Sequence, residues 1–174
     1  VQFEIEVRPG QTITAQGYDD VEFMISVNPG EPLKSLSHVA SGGELSRIML
    51  AIKTVLAGRD GIDTLIFDEI DTGISGKTAW RVSEQLDTVA HSHQVICITH
   101  LPQIAAMADC HFVIEKSSTA DSTITDIKRL DREKSLSELA RLLGSYELSE
   151  AALENAGHMR AQALEHKKSV NKIL

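Results

Sequence analysis

The 174 residues carry 17 Lys and Arg against 25 Asp and Glu, a formal net charge of −8, with 42% hydrophobic residues and only 4% aromatics. This length and apolar share suit one domain with an aliphatic core, and they exclude a repeat array, a disulfide scaffold or a disordered tail. The acidic balance repels a phosphate backbone on average, so direct nucleic-acid binding is not the first reading.

Val1, Phe3, Ile5 and Val7 alternate with polar residues, and Val21, Phe23, Ile25 and Val27 do so again after the turn-like Gly17-Tyr18-Asp19-Asp20. This period of two predicts antiparallel strands with one buried face. As the edge of an upstream lobe that the chain lacks, they would instead be exposed or paired between molecules. Asn28-Pro29-Gly30 closes the second strand, and a loop follows to about Val39.

Leu45, Ile48, Met49, Ile52, Val55 and Leu56 then recur at helical spacing, predicting a helix from Gly42 to about Ala57 with Gly58 as its stop. Thr64-Leu65-Ile66-Phe67 reads as a strand buried on both faces, ending abruptly in Asp68, Glu69 and Asp71. Trp80, Leu86 and Val89 mark a helix from about Gly76 to His91. Gln94 to Thr99 is the next strand, and Pro102 suits the first turn of a short helix.

His111 to Glu115 and Thr123 to Leu130 read as strands around the polar turn from Ser117 to Asp121. Ser135 with Glu138 has capping-box spacing for a helix through Leu143. Leu148, Ala152, Leu153, Ala156, Met159 and Ala163 mark a last amphipathic helix. At its tail, Lys167-Lys168 with Lys172 reads as a complement to the helix dipole in preference to a nucleic-acid contact.

Cys97 and Cys110 lack CxxC spacing, and Cys97 inside Val95-Ile96-Cys97-Ile98 reads as a buried, reduced thiol. No apolar run approaches the ~20 residues that a bilayer requires, and the N-terminus has no charged-then-apolar pattern, so a cytoplasmic protein without a membrane partner is expected.

Three places carry chemistry. Ser41-Gly42-Gly43-Glu44 stands where a loop becomes a helix, Ser41 and Glu44 having capping-box spacing. Glycines there let backbone N–H groups approach an anion, and the positive helix end completes a phosphate site; the plainer alternative is a capped helix without a ligand. Asp68 at the end of a buried strand suits Mg²⁺, directly or through water, and Glu69 the orientation and deprotonation of an attacking water; the alternative is a solvated acidic loop. His100, after the next parallel strand, can donate to a terminal phosphate, although a lone histidine there is usually structural. The His91-Ser92-His93 pair and His111 lack a convincing zinc ligand set.

Gly73-Ile74-Ser75-Gly76-Lys77-Thr78 imitates a phosphate loop, but the first glycine of GxxxxGK[ST] is Asp71 here, and Asp68, Glu69 and Asp71 would repel a triphosphate. Ser75 reads instead as a helix cap and Lys77 as a surface residue.

In order, the segment from Val39 to Arg47 with its Ser41-Gly42-Gly43-Glu44 core, Thr64 to Glu69, Asp71 to Gly76 and Ile98-Thr99-His100 resemble the signature motif, Walker B, D-loop and His-switch of ABC-type ATPases. Glu44, where transporters commonly have glutamine, points to the SMC-like branch. Within that branch Gly17 to Phe23, Asn28-Pro29-Gly30 and Val39 to Lys53 are similar to the RecN family, over nearly the whole chain. The resemblance implies a P-loop NTPase fold: the C-terminal lobe of an ABC-type head, α/β, with a mostly parallel sheet flanked by helices and antiparallel edge strands.

It further implies ATP and Mg²⁺ as cofactors, DNA as a partner of the full-length protein in double-strand-break repair and recombination, nucleoid association in a bacterium, and a head-to-head homodimer. Residues 1–174 then form the C-terminal half of a head without its Walker A half or coiled coil, inactive alone and dependent on that upstream half. Glu69, His100 and Asp71 are the implied catalytic residues and Asp68 the Mg²⁺ ligand, serving one nucleotide, while Ser41, Gly42, Gly43 and Glu44 meet another across the dimer. A non-enzymatic module that docks proteins on its acidic face is the competing class.

Overall fold

A computed structural model describes residues 1–26, 29–38, 41–56, 61–118, 123–144 and 149–170. Outside them fall Val27 and Asn28, the Val39-Ala40 start of the signature-like segment, Ala57 and the Gly58 stop, the middle of the 117–121 turn, Leu148 and Lys172.

The chain opens with β1 (Gln2–Thr14) and β2 (Gly17–Ser26), an antiparallel pair that β3 (Lys34–Ser35) extends beside β2. The turn is Ala15-Gln16, ahead of the 17–20 position expected from composition. The Thr14 hydroxyl organises it, donating to the Gly17 carbonyl at 3.0 Å and accepting from Gln16 N–H at 3.2 Å, while Gly17 takes the positive φ of 118° that reverses the chain. The register sets Phe3 against Ile25, Ile5 against Phe23 and Val7 against Val21, one apolar face as the alternation requires. Phe3 and Phe23 stack diagonally across it with centroids 5.8 Å apart. That face is nevertheless largely open: of its residues only Ile25 is buried, and Ile5, Val7 and Val21 remain more than half exposed.

The central unit is β4 (Thr64–Phe67) paired in parallel with β5 (Gln94–Cys97), crossed over by α2 (Gly76–Ala90) and preceded by α1 (Gly42–Leu56). Leu65, Phe67, Val95 and Cys97 point to one face and pack with Leu50 of α1, Val82, Leu86 and Val89 of α2, Ile70 and Ile104. The opposite face is uncovered, with Ile66 at 68% and Ile98 at 48% exposure, so β4 is buried on one face and not on two.

A second core joins α3 (Pro102–Met107), α4 (Arg132–Leu142) and α5 (Glu150–Val170) through Ala105, Ala106, Met107, Leu139, Ala140, Ala156 and Ala163, with Trp80 of α2 against it. The hairpin β6 (Phe112–Ser118) and β7 (Thr123–Arg129) forms a separate antiparallel sheet. The α/β architecture therefore holds, with the parallel part reduced to the β4–β5 pair among the described strands.

Two caps differ from the local patterns. The N-cap of α4 is Asp131, whose carboxylate accepts from Lys134 N–H at 2.8 Å; the strand hands over directly to this strong capping residue, so Ser135 lies one turn inside the helix. The Ser135 hydroxyl instead meets His111 Nδ1 at 2.8 Å, and Glu138 forks onto Arg141. Ser75 does stand at the N-cap of α2, but caps through its carbonyl toward Thr78 and Ala79 and makes no side-chain cap bond. Lys77 is exposed, as read from sequence.

Candidate functional site

Because β4 and β5 run parallel in register, Phe67 beside Cys97, their C-terminal ends open on one side of the sheet. Asp68 and Glu69 leave one end exposed, and His100 leaves the other, its side chain 72% exposed. The arrangement expected of Walker B and His-switch residues requires this adjacency.

Asp71 is placed differently from its neighbours. It is buried, and its Oδ2 accepts from the Thr99 hydroxyl at 2.7 Å and from the His100 N–H at 2.8 Å, with His100 Nδ1 at 2.9 Å. Three contacts to one oxygen tie the segment after β4 to the strand end carrying His100. They leave the His100 Nε2 edge to face outward, where an imidazole can reach a phosphate oxygen.

Beneath the same strand ends lies Cys97. Burial, reinforced by the negative charges of Asp71 and Asp68, pushes its thiol up to about 12, so it is an inert core residue and not a nucleophile. Both cysteines are free thiols.

The helix end at Ser41 forms one of the two bonds that its capping-box spacing predicts. Ser41 Oγ accepts from Glu44 N–H at 3.2 Å and the Ser41 carbonyl from Leu45 N–H at 3.1 Å. Gly42 and Gly43 occupy the first turn, whose N–H groups lack intrahelical acceptors. Both glycines lie against Glu69, and at Gly43 the neighbour is backbone that cannot give way as a side chain can. A Cβ on Gly43 would lie 2.8 Å from the Glu69 carbonyl oxygen, and one on Gly42 would overlap the Glu69 carboxylate, 2.3 Å from Oε2.

Although the family resemblance implies different nucleotides for the Ser41 to Glu44 segment and Glu69, the two lie in contact within one chain. Ser46 Oγ donates to the Asp68 carbonyl at 2.9 Å, and Arg47 Nη1 to the carbonyls of Ile70 and Thr72 at 3.1 and 2.9 Å. These two residues, and Thr99, lie inside the motif-like segments, but the sequence assigned them no role of their own. The available signal was a cation, Arg47, set among the apolar positions of the first turns of α1.

Among the described residues, no group of three or more His, Cys, Asp or Glu side chains gathers as a metal cage. Exposed Asp68 fits a Mg²⁺ held by one carboxylate and otherwise by phosphate oxygens and water, the usual mode for that ion. His91 Nδ1 lies 2.8 Å from the Asp87 carbonyl and His93 Nδ1 3.3 Å from the Val89 carbonyl, engaged at the C-terminal end of α2. Lys167 is occupied too: its ammonium sits 2.9 Å from buried Asp87 and 2.8 Å from Asp109, pinning α5 to α2. No helix among the described residues is long and apolar enough to cross a membrane.

No family model matches the chain. A solved chain from a study of ATP-driven dimerization and DNA-stimulated activation of SMC ATPases superposes with a TM-score of 0.49 at 19% identity, covering 83% of this chain and 84% of that one. The described elements define the class as an α/β domain, a parallel β4–β5 pair crossed over by α2.

Among characterised sequences, DNA repair protein RecN of Halalkalibacterium halodurans is 44% identical over 156 residues, 90% of this chain. RecN of Bacillus subtilis is 46% identical over 87% of the chain, and RecN of Treponema pallidum 50% over 80%. The chain belongs to the RecN family, and it spans 24–28% of the length of these relatives.

Proposed function

We propose that this chain supplies half of each ATP-hydrolysing site in a head-to-head homodimer that serves DNA double-strand-break repair in a bacterial cytoplasm, at the nucleoid. The observation that carries the reading is the shared rim of β4 and β5, where exposed Asp68, Glu69 and His100 stand together with the Ser41 helix end beside them. Asp68 holds Mg²⁺. Glu69 orients and deprotonates the attacking water, and His100, aimed by Asp71, donates to the terminal phosphate. Ser41 to Glu44 offer N–H groups and a helix dipole to the nucleotide of the opposite protomer, once the Glu69 carboxylate rotates off Gly42.

The nucleotide itself is cradled by a Walker A half carried elsewhere in the RecN sequence. That half also covers the apolar faces left open here, around Ile66 and Ile98 on the parallel pair and around Ile5, Val7 and Val21 on the first hairpin; exposed apolar surface of this extent marks an interaction face.

Mixed dimers test the two-site arrangement in a protein that includes the Walker A half. Ser41→Arg and Glu69→Gln proteins are each expected to be inactive. Mixed together, they should regain a substantial fraction of activity, because one of the two composite sites then has an intact Ser41 facing an intact Glu69. Absence of any recovery from verified mixed dimers would rule the arrangement out.

A further inference from the structure

Glu69 is the one residue other than glycine with positive φ among the described residues, at 58°. A side chain in that left-handed region is sterically disfavoured and persists where surrounding contacts over-determine it. Locally, Glu69 N–H donates to Asp68 Oδ1 at 2.9 Å, and the longer-range contacts come from α1. On one side of Glu69, the Asp68 carbonyl accepts from Ser46 Oγ; on the other, the Ile70 carbonyl accepts from Arg47 Nη1. The same guanidinium nitrogen reaches on to the Thr72 carbonyl, and Thr72 N–H closes a turn back to the Glu69 carbonyl at 3.0 Å. Gly43 abuts that Glu69 carbonyl from the remaining side. Backbone carbonyls on both sides of Glu69 are thus gripped by consecutive residues of the helix that begins at the Ser41 segment.

We infer that Arg47, assisted by Ser46, is a positioning residue that holds Glu69 in its strained conformation and so sets the direction of its carboxylate. The consequence, which rests on the roles proposed above, is that one rigid helix links the two sites of a dimer. A phosphate pressing on Ser41 to Gly43 bears on the helix that aims the base used for the other nucleotide. Arg47 touches neither nucleotide; it acts through the 68–72 backbone.

Hydrogen exchange on the 174-residue chain tests the clamp, with Arg47→Ala, Arg47→Lys and Ser46→Ala. Amide exchange at Thr72 and Ile74 should accelerate at least tenfold in Arg47→Ala and less in Arg47→Lys, which retains one donor, while amides of α2 and α5 keep wild-type protection. Glu69→Gly removes the strain, so Arg47→Ala should have a smaller effect in that background. Exchange at Thr72 and Ile74 within twofold of wild type in both Arg47 variants, or an Arg47→Ala effect undiminished by Glu69→Gly, would overturn the clamp. In the longer protein with its Walker A half, the same Arg47→Ala change should lower kcat at least tenfold with KM within threefold. Accelerated exchange with unchanged kcat would remove the base role from Glu69 while leaving the clamp, so the two ideas fail separately.

Discussion

His100 Nδ1 lies 2.9 Å from Asp71 Oδ2, and the same carboxylate oxygen accepts from the His100 backbone N–H, so one buried acid fixes both the ring and the main chain of an exposed histidine. Asp71→Asn replaces this acceptor with an amide that cannot satisfy three donors at one oxygen while turning its own NH₂ elsewhere. We expect a loss of about 1–3 kcal/mol in unfolding free energy, the cost of leaving buried polar groups unsatisfied. Nitrogen-15 spectra should show His100 protonated at Nδ1 in the parent chain and a mixture of tautomers in the variant. An unchanged tautomer pattern would contradict the orienting role.

Glu69→Gln in the protein with its Walker A half should leave nucleotide binding intact and reduce hydrolysis by about 10²–10⁴-fold, the typical contribution of a general base. A nucleotide-bound dimer should accumulate, measurable by light scattering. Turnover within a factor of about two of the parent would remove Glu69 from the base role and favour the competing reading of the acidic rim as a protein-docking surface.

The 174 residues alone contain no complete GxxxxGK[ST], since Asp71 stands where its first glycine belongs. No ATPase activity and no tight ATP-dependent dimerisation are expected from them, with both appearing when the Walker A half is supplied. Calorimetry showing micromolar Mg-ATP binding to the 174-residue chain, about −8 kcal/mol, would revive the loop from Gly73 to Thr78 as a phosphate site.

Lys167→Met should destabilise the chain by about 3–5 kcal/mol, since removing one partner of a largely buried ion pair leaves Asp87 with His166 Nε2, 4.0 Å away, in place of a direct ammonium contact. A compensating Asp87→Leu should recover part of the loss. Burial alone would lower the ammonium's proton affinity, but the hydrogen bonds and charges of Asp109 and Asp87 outweigh it and raise the pKa. Its stabilisation is therefore complete below the unfolded value of about 10.4 and fades as pH rises through the higher folded value. Alkaline denaturation of the parent and Lys167→Met chains measures the difference.

His111 titrates in the opposite sense. Burial, opposed by Glu138 and aided by Arg160, lowers its pKa below the ordinary 6.5. Its neutral form is favoured in the fold, so stability is fully present above about 6.5 and falls as pH drops through the folded value. The midpoint of thermal unfolding should decline less between pH 7 and pH 5 in His111→Gln than in the parent; equal slopes would assign the acid sensitivity elsewhere.

The elements that hold the site were legible from the residues themselves. Thr64 to Phe67 matched in full, α1 and α2 to within a residue at each end, and Pro102 opened α3, because periodicity, a Ser41 cap and a proline at the first turn act over one to four residues. Ordered Ser-Gly-Gly-Glu, Asp-Glu and His segments likewise place the candidate site residues within short stretches of sequence. Only the tertiary structure decided which of those residues meet. Asp71 joins His100 across 29 positions, Arg47 grips Ile70 and Thr72 across 23 and 25, and Lys167 reaches Asp109 across 58. Such pairings depend on how elements dock, and no local period encodes them. Burial was undecided for the same reason: the alternation in β1 and β2 specifies an apolar face, whereas its coverage depends on what packs over it, and among the described residues Ile5, Val7 and Val21 stay in solvent.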